Sequence, residues 1–318
     1  MQTMIVDVLL IAIYAIAVGT ISSMVGIGGG IFNTPLLILV FFFDAQHASA
    51  TALVAALFVA AASTPKYWKQ NPRPIIPKAG LFLAITTIPG SLTGVFLRTL
   101  IAEDYILRLI FGISLFPVAI KMLFAKKRKK DGDKSEIEDY DFSALSPQRL
   151  AFSLFGAFIG GVAAGLLGIG GGAVIVPVLS LLMGVPMLAA VSTSMFTMIF
   201  TASAGTVLNY ATGFIDPAYA LALGVGMIAG GQIGPPLAAR VNAVQLKRVF
   251  GVVLVFPLIK MMRLGSIWLD PGNQYSLLST IGDIILWLLV VIPIALLRYY
   301  QIRKSTIESQ TRIESSED

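Results

Sequence analysis

The sequence contains the same glycine-rich pentapeptide twice, as Gly26-Ile27-Gly28-Gly29-Gly30 and as Gly168-Ile169-Gly170-Gly171-Gly172. Each copy leads into a short apolar stretch, 31–43 or 173–183. Glycine permits irregular backbone and close approach to a ligand. The N terminus of a helix presents free N–H groups and a partial positive charge. The pattern therefore predicts that two short helices direct their N termini at one small anion, although small residues also serve tight helix crossing. The glycines expected to bind the anion are Gly28, Gly29, Gly30, Gly170, Gly171 and Gly172.

Polar side chains in the otherwise apolar segments near the pentapeptides are further candidate ligands. Hydroxyl and amide groups can donate to the oxygens of an anion. The same hydroxyls can instead bond to a preceding carbonyl, and the amides can instead join neighbouring helices. Asn33 and Thr34 open the first short stretch where the second has Ile175 and Val176, so the predicted site is asymmetric. The candidates are Asn33, Thr34, Thr51, Ser192, Thr193, Ser194, Asn209 and Gln232.

Ionisable residues are scarce in the apolar segments. Asp283 lies inside the last of them, where an acid is a functional hypothesis by default, and His47 can titrate near neutral pH, so these two are the candidates for proton coupling. One histidine and no cysteine cannot form a typical zinc site, and no nucleophile–base pair or cofactor motif occurs. The sequence thus predicts no metal, no cofactor and no enzymatic activity. Arg98 and Arg240 are expected to anchor helix ends, and Lys66 to lie where it could border a vestibule.

The composition indicates which kind of secondary structure positions these residues. Of the 318 residues, 13% are charged and 56% are hydrophobic, whereas a soluble domain has roughly 25% charged residues. This excludes a soluble enzyme and a nucleic-acid-binding module, and predicts an all-α polytopic integral membrane protein. The stretches 31–43 and 173–183 give roughly 16 to 20 Å of helix, too short for a hydrocarbon core of about 30 Å. The expected full-length spans are 4–25, 47–65, 77–98, 104–124, 148–167, 186–210, 217–239, 245–263 and 277–297.

Matched residues recur between two parts of the chain at a nearly constant separation. The pentapeptides are 142 positions apart, as are Thr51 and Thr193, and farther along the separation is 140, which matches Gly94 with Gly234. An ordered series of this kind indicates a duplicated unit. The predicted domains are an N-terminal repeat over 1–124, a linker over 125–147, a C-terminal repeat over 148–263, and an extra transmembrane helix with a tail over 264–318.

Basic residues in short loops mark the cytoplasmic side of a membrane. The linker 125–147 contains six near its start and is expected inside, where it would contact anionic lipid headgroups. Loop 65–78, with four basic residues, then also lies inside, and its counterpart 211–216, with none, lies outside. This predicts two repeats of inverted topology, with the N terminus outside and the C terminus cytoplasmic.

The doubled motif resembles the TauE/SafE sulfite exporter family, also called the 4-toluenesulfonate uptake permease family. The resemblance covers residues 8–263 and rests on the pentapeptide, on Pro35 or Pro177 five residues after it, and on the A-x-T-S-L-like segments at 50–53 and 192–195. It implies a secondary transporter for small sulfur-containing or organic anions, such as sulfite, thiosulfate, sulfonates or sulfoacetate. The first copy departs from the family at Ala52, where serine is usual, so that half lacks one hydroxyl.

Inverted repeats that meet at interrupted helices are typical of secondary transporters. We therefore expect alternating-access transport of a small anion across the cell membrane, with a proton as the candidate coupling ion. A passive anion channel of the same architecture is the alternative. An enzyme or a membrane scaffold would not account for the duplicated breaks.

Overall fold

The computed structural model describes residues 2–101 and 145–241, together with isolated positions beyond these ranges. The described part is helical and contains no strand. Its helices in chain order are α1 (Gln2–Val25), α2 (Gly30–Leu39), α3 (Ala45–Trp68), α4 (Pro77–Leu100), α5 (Pro147–Leu167), α6 (Gly172–Pro177), α7 (Met187–Ala211) and α8 (Pro217–Ala238). A π-helical stretch, Val178–Leu182, continues α6.

Among the described helices, α3, α4, α5, α7 and α8 are long and apolar enough to cross a membrane. The prediction of an all-α polytopic membrane protein is therefore confirmed. The helix bounds follow the predicted segments closely, as 77–98 corresponds to α4 and 186–210 to α7. The predicted spans 104–124, 245–263 and 277–297, the linker and the tail lie wholly or largely outside the described residues.

Capping residues explain where the long helices begin. Asp44 caps α3 by accepting hydrogen bonds from two backbone N–H groups, and Asp216 caps α8 in the same way. Ser146 caps α5 with its hydroxyl. Such side chains satisfy N–H groups that have no partner inside the helix. Proline occupies the first residue of α4, α5 and α8, where its missing N–H costs little.

The two short helices both begin directly after a glycine with left-handed backbone angles, Gly29 before α2 and Gly171 before α6. A proline lies in the second turn of each short helix. Pro35 and Pro177 are the sixth residues of their helices, so each removes an N–H that would otherwise bond to the carbonyl four residues earlier. In the second copy the helix changes to π geometry directly after Pro177.

The packing of the two halves is reciprocal. α1 packs on α8 and α5 packs on α4, while α3 and α7 contact each other in the middle. Matched glycines make the outer crossings close: a Cβ at Gly90 would overlap the carbonyl oxygen of Phe158, and one at Gly230 would overlap that of Ile16. Packing of this kind is what the predicted duplication, with two repeats related by a pseudo-two-fold axis, would produce. The orientation of the halves across a membrane stays a prediction.

The chain divides into two compact units, Met1–Met261 and Met262–Asp318. All the helices defined above belong to the first unit. In the second unit the described positions are 281, 282, 285 and 288, and each of them is helical.

Candidate functional site

The two pentapeptides form breaks between helices, and their backbone angles explain their composition. Three glycines in each copy have φ near +80°, a region that L side chains adopt only at a cost. These residues are Gly26, Gly28 and Gly29 in the first break and Gly168, Gly170 and Gly171 in the second. The irregular backbone between the helices therefore depends on glycine at these positions.

The breaks run past each other between α3 and α7. A Cβ added to Gly30 would overlap the carbonyl oxygen of Gly168, and a Cβ added to Gly172 would overlap that of Gly26. Gly28 and Gly170 both face the side chains of Ala56 and Met198, which are themselves 142 positions apart. All ten residues of the two breaks are buried. The structure thus brings the predicted glycines of both copies into one buried crossing.

Free backbone donors lie at this crossing. In the described ranges, the N–H groups of Gly28, Gly29, Gly170 and Gly171 have no backbone acceptor. The first N–H groups of α2 have none within the helix either, and the helix dipole adds partial positive charge at the same end. Buried donors of this kind are well suited to an anion.

Two polar side chains beside the first break also lack partners. Both the Nδ2 and the Oδ1 atoms of Asn33 are buried without a hydrogen-bond partner, and so is the hydroxyl of Ser22. Asn33 lies one turn into α2, and its N–H donates to the carbonyl oxygen of Gly29. A Cβ added to Gly29 would lie 3.1 Å from the Ser22 hydroxyl. The counterparts in the second half are Ala164 and Ile175, so the unpartnered side chains occur on the first break alone among these matched positions.

The matched threonines bond to the starts of other helices. Thr51 accepts a hydrogen bond of 3.1 Å from the N–H of Asp216, and Thr193 accepts one of 3.0 Å from the N–H of Ile76. Asp216 and Ile76 are the capping residues of α8 and α4. The two bonds therefore hold equivalent joints, and each hydroxyl keeps its own hydrogen to donate.

The other candidate hydroxyls donate to backbone carbonyls. Ser194 donates to Gly26 at 2.9 Å, and Thr34 donates to Leu167 at 3.1 Å, so each ties one half to the break or the helix end of the other. Ser192 donates to Ala189 within its own helix at 3.1 Å. Val176 and Ala52, the counterparts of Thr34 and Ser194, have no hydroxyl, so neither tie has an equivalent at the matched position of the other half.

The remaining candidates lie away from the crossing or bond elsewhere. Gln232 donates to the carbonyl oxygen of Ala62 at 2.7 Å and so links α8 to α3. His47 is 42% exposed in its side chain and pairs with Asp44 at 2.7 Å. Asp283 lies outside the described residues. In the described ranges, no group of three His, Cys, Asp or Glu residues lies close enough to hold a metal ion.

The side chain of Arg98 is fully buried, although the sequence predicted that it would anchor a helix end. Its Nη1 donates to the carbonyl oxygen of Gly165 at 3.2 Å, and its Nη2 donates to the Oδ1 of Asn209. The spacing along α4 could have indicated this burial. Arg98 follows Gly90 and Gly94 at intervals of four residues, and so lies on the face of α4 that packs on α5. Ser22 was also missed, although it precedes the pentapeptide by one turn.

A cavity of about 320 Å³ opens where α3 and α8 end and α7 begins. Lys66 and Arg240 line it together with the polar side chains of Gln70 and Asn71, and no acid is among its described lining residues. Gln70 donates to the carbonyl oxygen of Pro235 at 2.9 Å, which fixes the loop after α3 against α8. The described lining therefore gives the cavity a positive potential.

Comparisons with known proteins agree with this architecture. The family model described as "Sulfite exporter TauE/SafE" matches residues 11–261. The chain is 28% identical to "Probable membrane transporter protein YunE" of Bacillus subtilis over 259 residues, which cover 77% of this chain and 94% of that protein. It is 30% identical to a "Probable membrane transporter protein" of Xylella fastidiosa over 244 residues, or 75% and 88% of the two chains. A further relative from Methanocaldococcus jannaschii is 27% identical over 79% of this chain and 95% of its own length.

No solved structure matches the chain at a significant level. The family match spans both breaks and the helices that hold them. It confirms the expected class, a multi-pass membrane transporter and not an enzyme. The chain belongs to the TauE/SafE sulfite exporter family.

Proposed function

We propose that the chain is a secondary-active transporter of small sulfur-containing or organic anions, in the class of sulfite, thiosulfate, sulfonate and sulfoacetate, and that it works by alternating access. One observation carries the proposal. The N terminus of α2 lies at a buried crossing of the two breaks, and Ser22 and Asn33, on either side of the first break in the chain, have buried polar groups without partners. A buried polar group without a partner costs roughly 1–3 kcal/mol, and a ligand that pairs with it offsets that cost.

The groups at the crossing suit an anion better than a cation. The backbone N–H groups of Gly28 and Gly29, the hydroxyl of Ser22 and the amide of Asn33 can all donate hydrogen bonds. No acid of the described ranges is among the buried residues, so no described carboxylate competes for these donors. A tetrahedral or trigonal sulfur oxyanion presents several acceptor oxygens at once. Further substrate ligands in this proposal are Gly30, Gly170, Gly171, Gly172 and the hydroxyls of Thr51 and Thr193.

Burial of the crossing favours a carrier over a permanently open channel. All residues of both breaks are buried, so a substrate reaches them only when packing around them changes. The close approach of Gly30 to Gly168 and of Gly172 to Gly26 is the joint about which one half would rock against the other. Glycines permit this motion because the four residues that meet at the joint have no side chains of their own.

The cavity lined by Lys66 and Arg240 is the proposed cytoplasmic mouth. Loop 65–78 and the end of α8 would face the cytoplasm, with the N terminus of the chain outside. Two cations at the mouth raise the local concentration of an anionic substrate. His47, on the opposite side in this topology, and Asp283 are the candidates for coupling a proton to transport.

Uptake of radiolabelled sulfite and thiosulfate into proteoliposomes tests the proposal. A carrier shows uptake that saturates with concentration and is accelerated by unlabelled anion inside the vesicles. Asn33→Leu should abolish this uptake, and Gln232→Leu, which alters an amide that bonds Ala62, should retain most of it. Single-channel currents without counterflow would establish the channel instead. Absence of flux for every sulfur anion tested would overturn the proposal.

A further inference from the structure

We propose that Arg98 and Asn209 form a second buried binding site for a small oxyanion, separate from the crossing of the breaks. The proposal rests on the proposed function in one respect, that small anions enter this protein. Arg98 is the last-turn residue of α4, and Asn209 is near the end of α7. Both side chains are fully buried.

The charge of Arg98 has no bonded counter-ion in the described part of the chain. The ion pair found there joins His47 to Asp44. The field of Asp44 reaches Arg98, but one Asp44 oxygen accepts from two backbone N–H groups and the other pairs with His47. A buried cation without a bonded anion is costly. The arrangement therefore calls for a negative ligand.

Unused donors on the two residues point to the same ligand. The Nε of Arg98 and the Nδ2 of Asn209 are buried and have no acceptor. The two side chains already bond to each other through Nη2 and Oδ1, so their free N–H groups belong to one connected unit. Both free groups are donors, and an oxyanion supplies acceptors and negative charge together.

The matched position in the other half supplies an internal comparison. Tyr67 corresponds to Asn209, and its hydroxyl donates to the carbonyl oxygen of Ser23 at 2.7 Å. Ser23 corresponds to Gly165, the residue whose carbonyl oxygen accepts from Arg98. A neutral hydroxyl therefore satisfies this carbonyl in one half. Because a neutral donor is enough to pair this carbonyl, the charge of Arg98 in the other half is available for a charged ligand.

The unit lies between the surface and the second break. Gly165, which Arg98 contacts, precedes the break by one turn. On the other side the Arg98 guanidinium lies 5.7 Å from the ring centre of Phe214, and Phe214 in turn packs edge-to-face on His47, which is partly exposed. An anion that passes the Phe214 side chain meets Arg98 before it meets the glycines. The predicted ligand is a small oxyanion such as an alkylsulfonate.

Thermal unfolding of the purified full-length chain in detergent, titrated with methanesulfonate at constant ionic strength, tests the site. The measurement is made in an Asn33→Leu background, in which the crossing is disabled. There the anion should still raise the unfolding midpoint, and adding Arg98→Gln should weaken the apparent affinity at least about tenfold. Arg98→Lys should weaken it less, because it keeps the charge but loses the planar fork. Asn209→Leu should weaken it as well, and provides the test if Arg98→Gln does not fold.

Tyr67→Phe is the matched control. It removes the equivalent hydrogen bond of the other half, so it should lower the unfolding midpoint and leave the response to methanesulfonate unchanged. Loss of every anion response in Asn33→Leu alone would overturn the second site, and so would an unchanged response in Arg98→Gln or in Asn209→Leu. Failure of the proposed function is a different result, namely absence of flux in the wild-type protein.

Discussion

The hydroxyl of Ser194 on α7 donates a 2.9 Å hydrogen bond to the carbonyl oxygen of Gly26, the residue that opens the first break. The matched pair in the other half is Ala52 and Gly168, and alanine cannot make this bond. Ala52, where the first copy lacks the hydroxyl that the second copy has, is thus the residue that would have held the second break. The two breaks are held differently, although their backbones are nearly the same.

Ser194→Ala should lower the free energy of unfolding by about 1–3 kcal/mol, because the buried carbonyl of Gly26 would lose its hydroxyl donor. Ala52→Ser should raise stability slightly or leave it unchanged, because it offers Gly168 the missing donor. Thermal unfolding in detergent measures both. Equal effects of the same sign would contradict the asymmetry described here.

Asn33→Leu should abolish transport without lowering stability. It replaces two buried polar atoms that have no partner with apolar ones of similar size, so the unfolding midpoint should stay the same or rise. Uptake of sulfur anions should be lost. Ile175→Leu, at the matched position of α6, is the control and should retain uptake. A folded Asn33→Leu protein with wild-type uptake would remove Asn33 from the site.

Thr51→Val and Thr193→Val should destabilise the protein by similar amounts, each by about 1–3 kcal/mol. Each removes the acceptor for the N–H of a helix-capping residue, Asp216 or Ile76, and valine has nearly the same shape as threonine. Thr99→Val, in which the exposed hydroxyl bonds to its own helix, should change stability by less than about 0.5 kcal/mol. A much larger loss in one of the matched pair would show that the two joints are not equivalent.

The helices and the meeting of the two breaks could be predicted from the sequence. Apolar length separates α4 or α7 from the short helices, and glycine at positions with positive φ is the one residue type that the breaks accept without strain. The hydrogen-bond partners of the polar side chains could not be predicted from the sequence. Thr34 and Asn33 are adjacent and equally polar, yet one bonds Leu167 and the other bonds nothing through its side chain, because the outcome depends on which backbone the neighbouring half presents.

The burial of Arg98 could not be predicted from its position along the chain either. A cation at the end of an apolar segment usually extends to the interface, so position along the helix suggested exposure. Position around the helix decided otherwise, since the side chain faces α5 and α7 and not lipid or water.

The topology can be tested with single cysteines, because the native chain has none. Asn71→Cys, after α3, and Thr212→Cys, after α7, are both at exposed positions. With inverted repeats, a membrane-impermeant maleimide should label position 212 in intact cells, and position 71 only after the membrane is opened. Labelling of both positions from the same side would refute the inverted orientation.

Gly30→Ala and Gly172→Ala should both impair transport, because each added Cβ overlaps a carbonyl oxygen of the opposite break, that of Gly168 or of Gly26. The neighbour is backbone and cannot rotate away, so the crossing must open and lose stability by about 1–3 kcal/mol. Gly184→Ala is the matched control, since its Cβ meets nothing within 4 Å while its φ of +73° imposes a strain cost alone. That control should unfold slightly earlier and transport normally. Because the two breaks are reciprocal, the two crossing variants should fail together, and normal flux in either one would show that the crossing is not the joint about which the halves move.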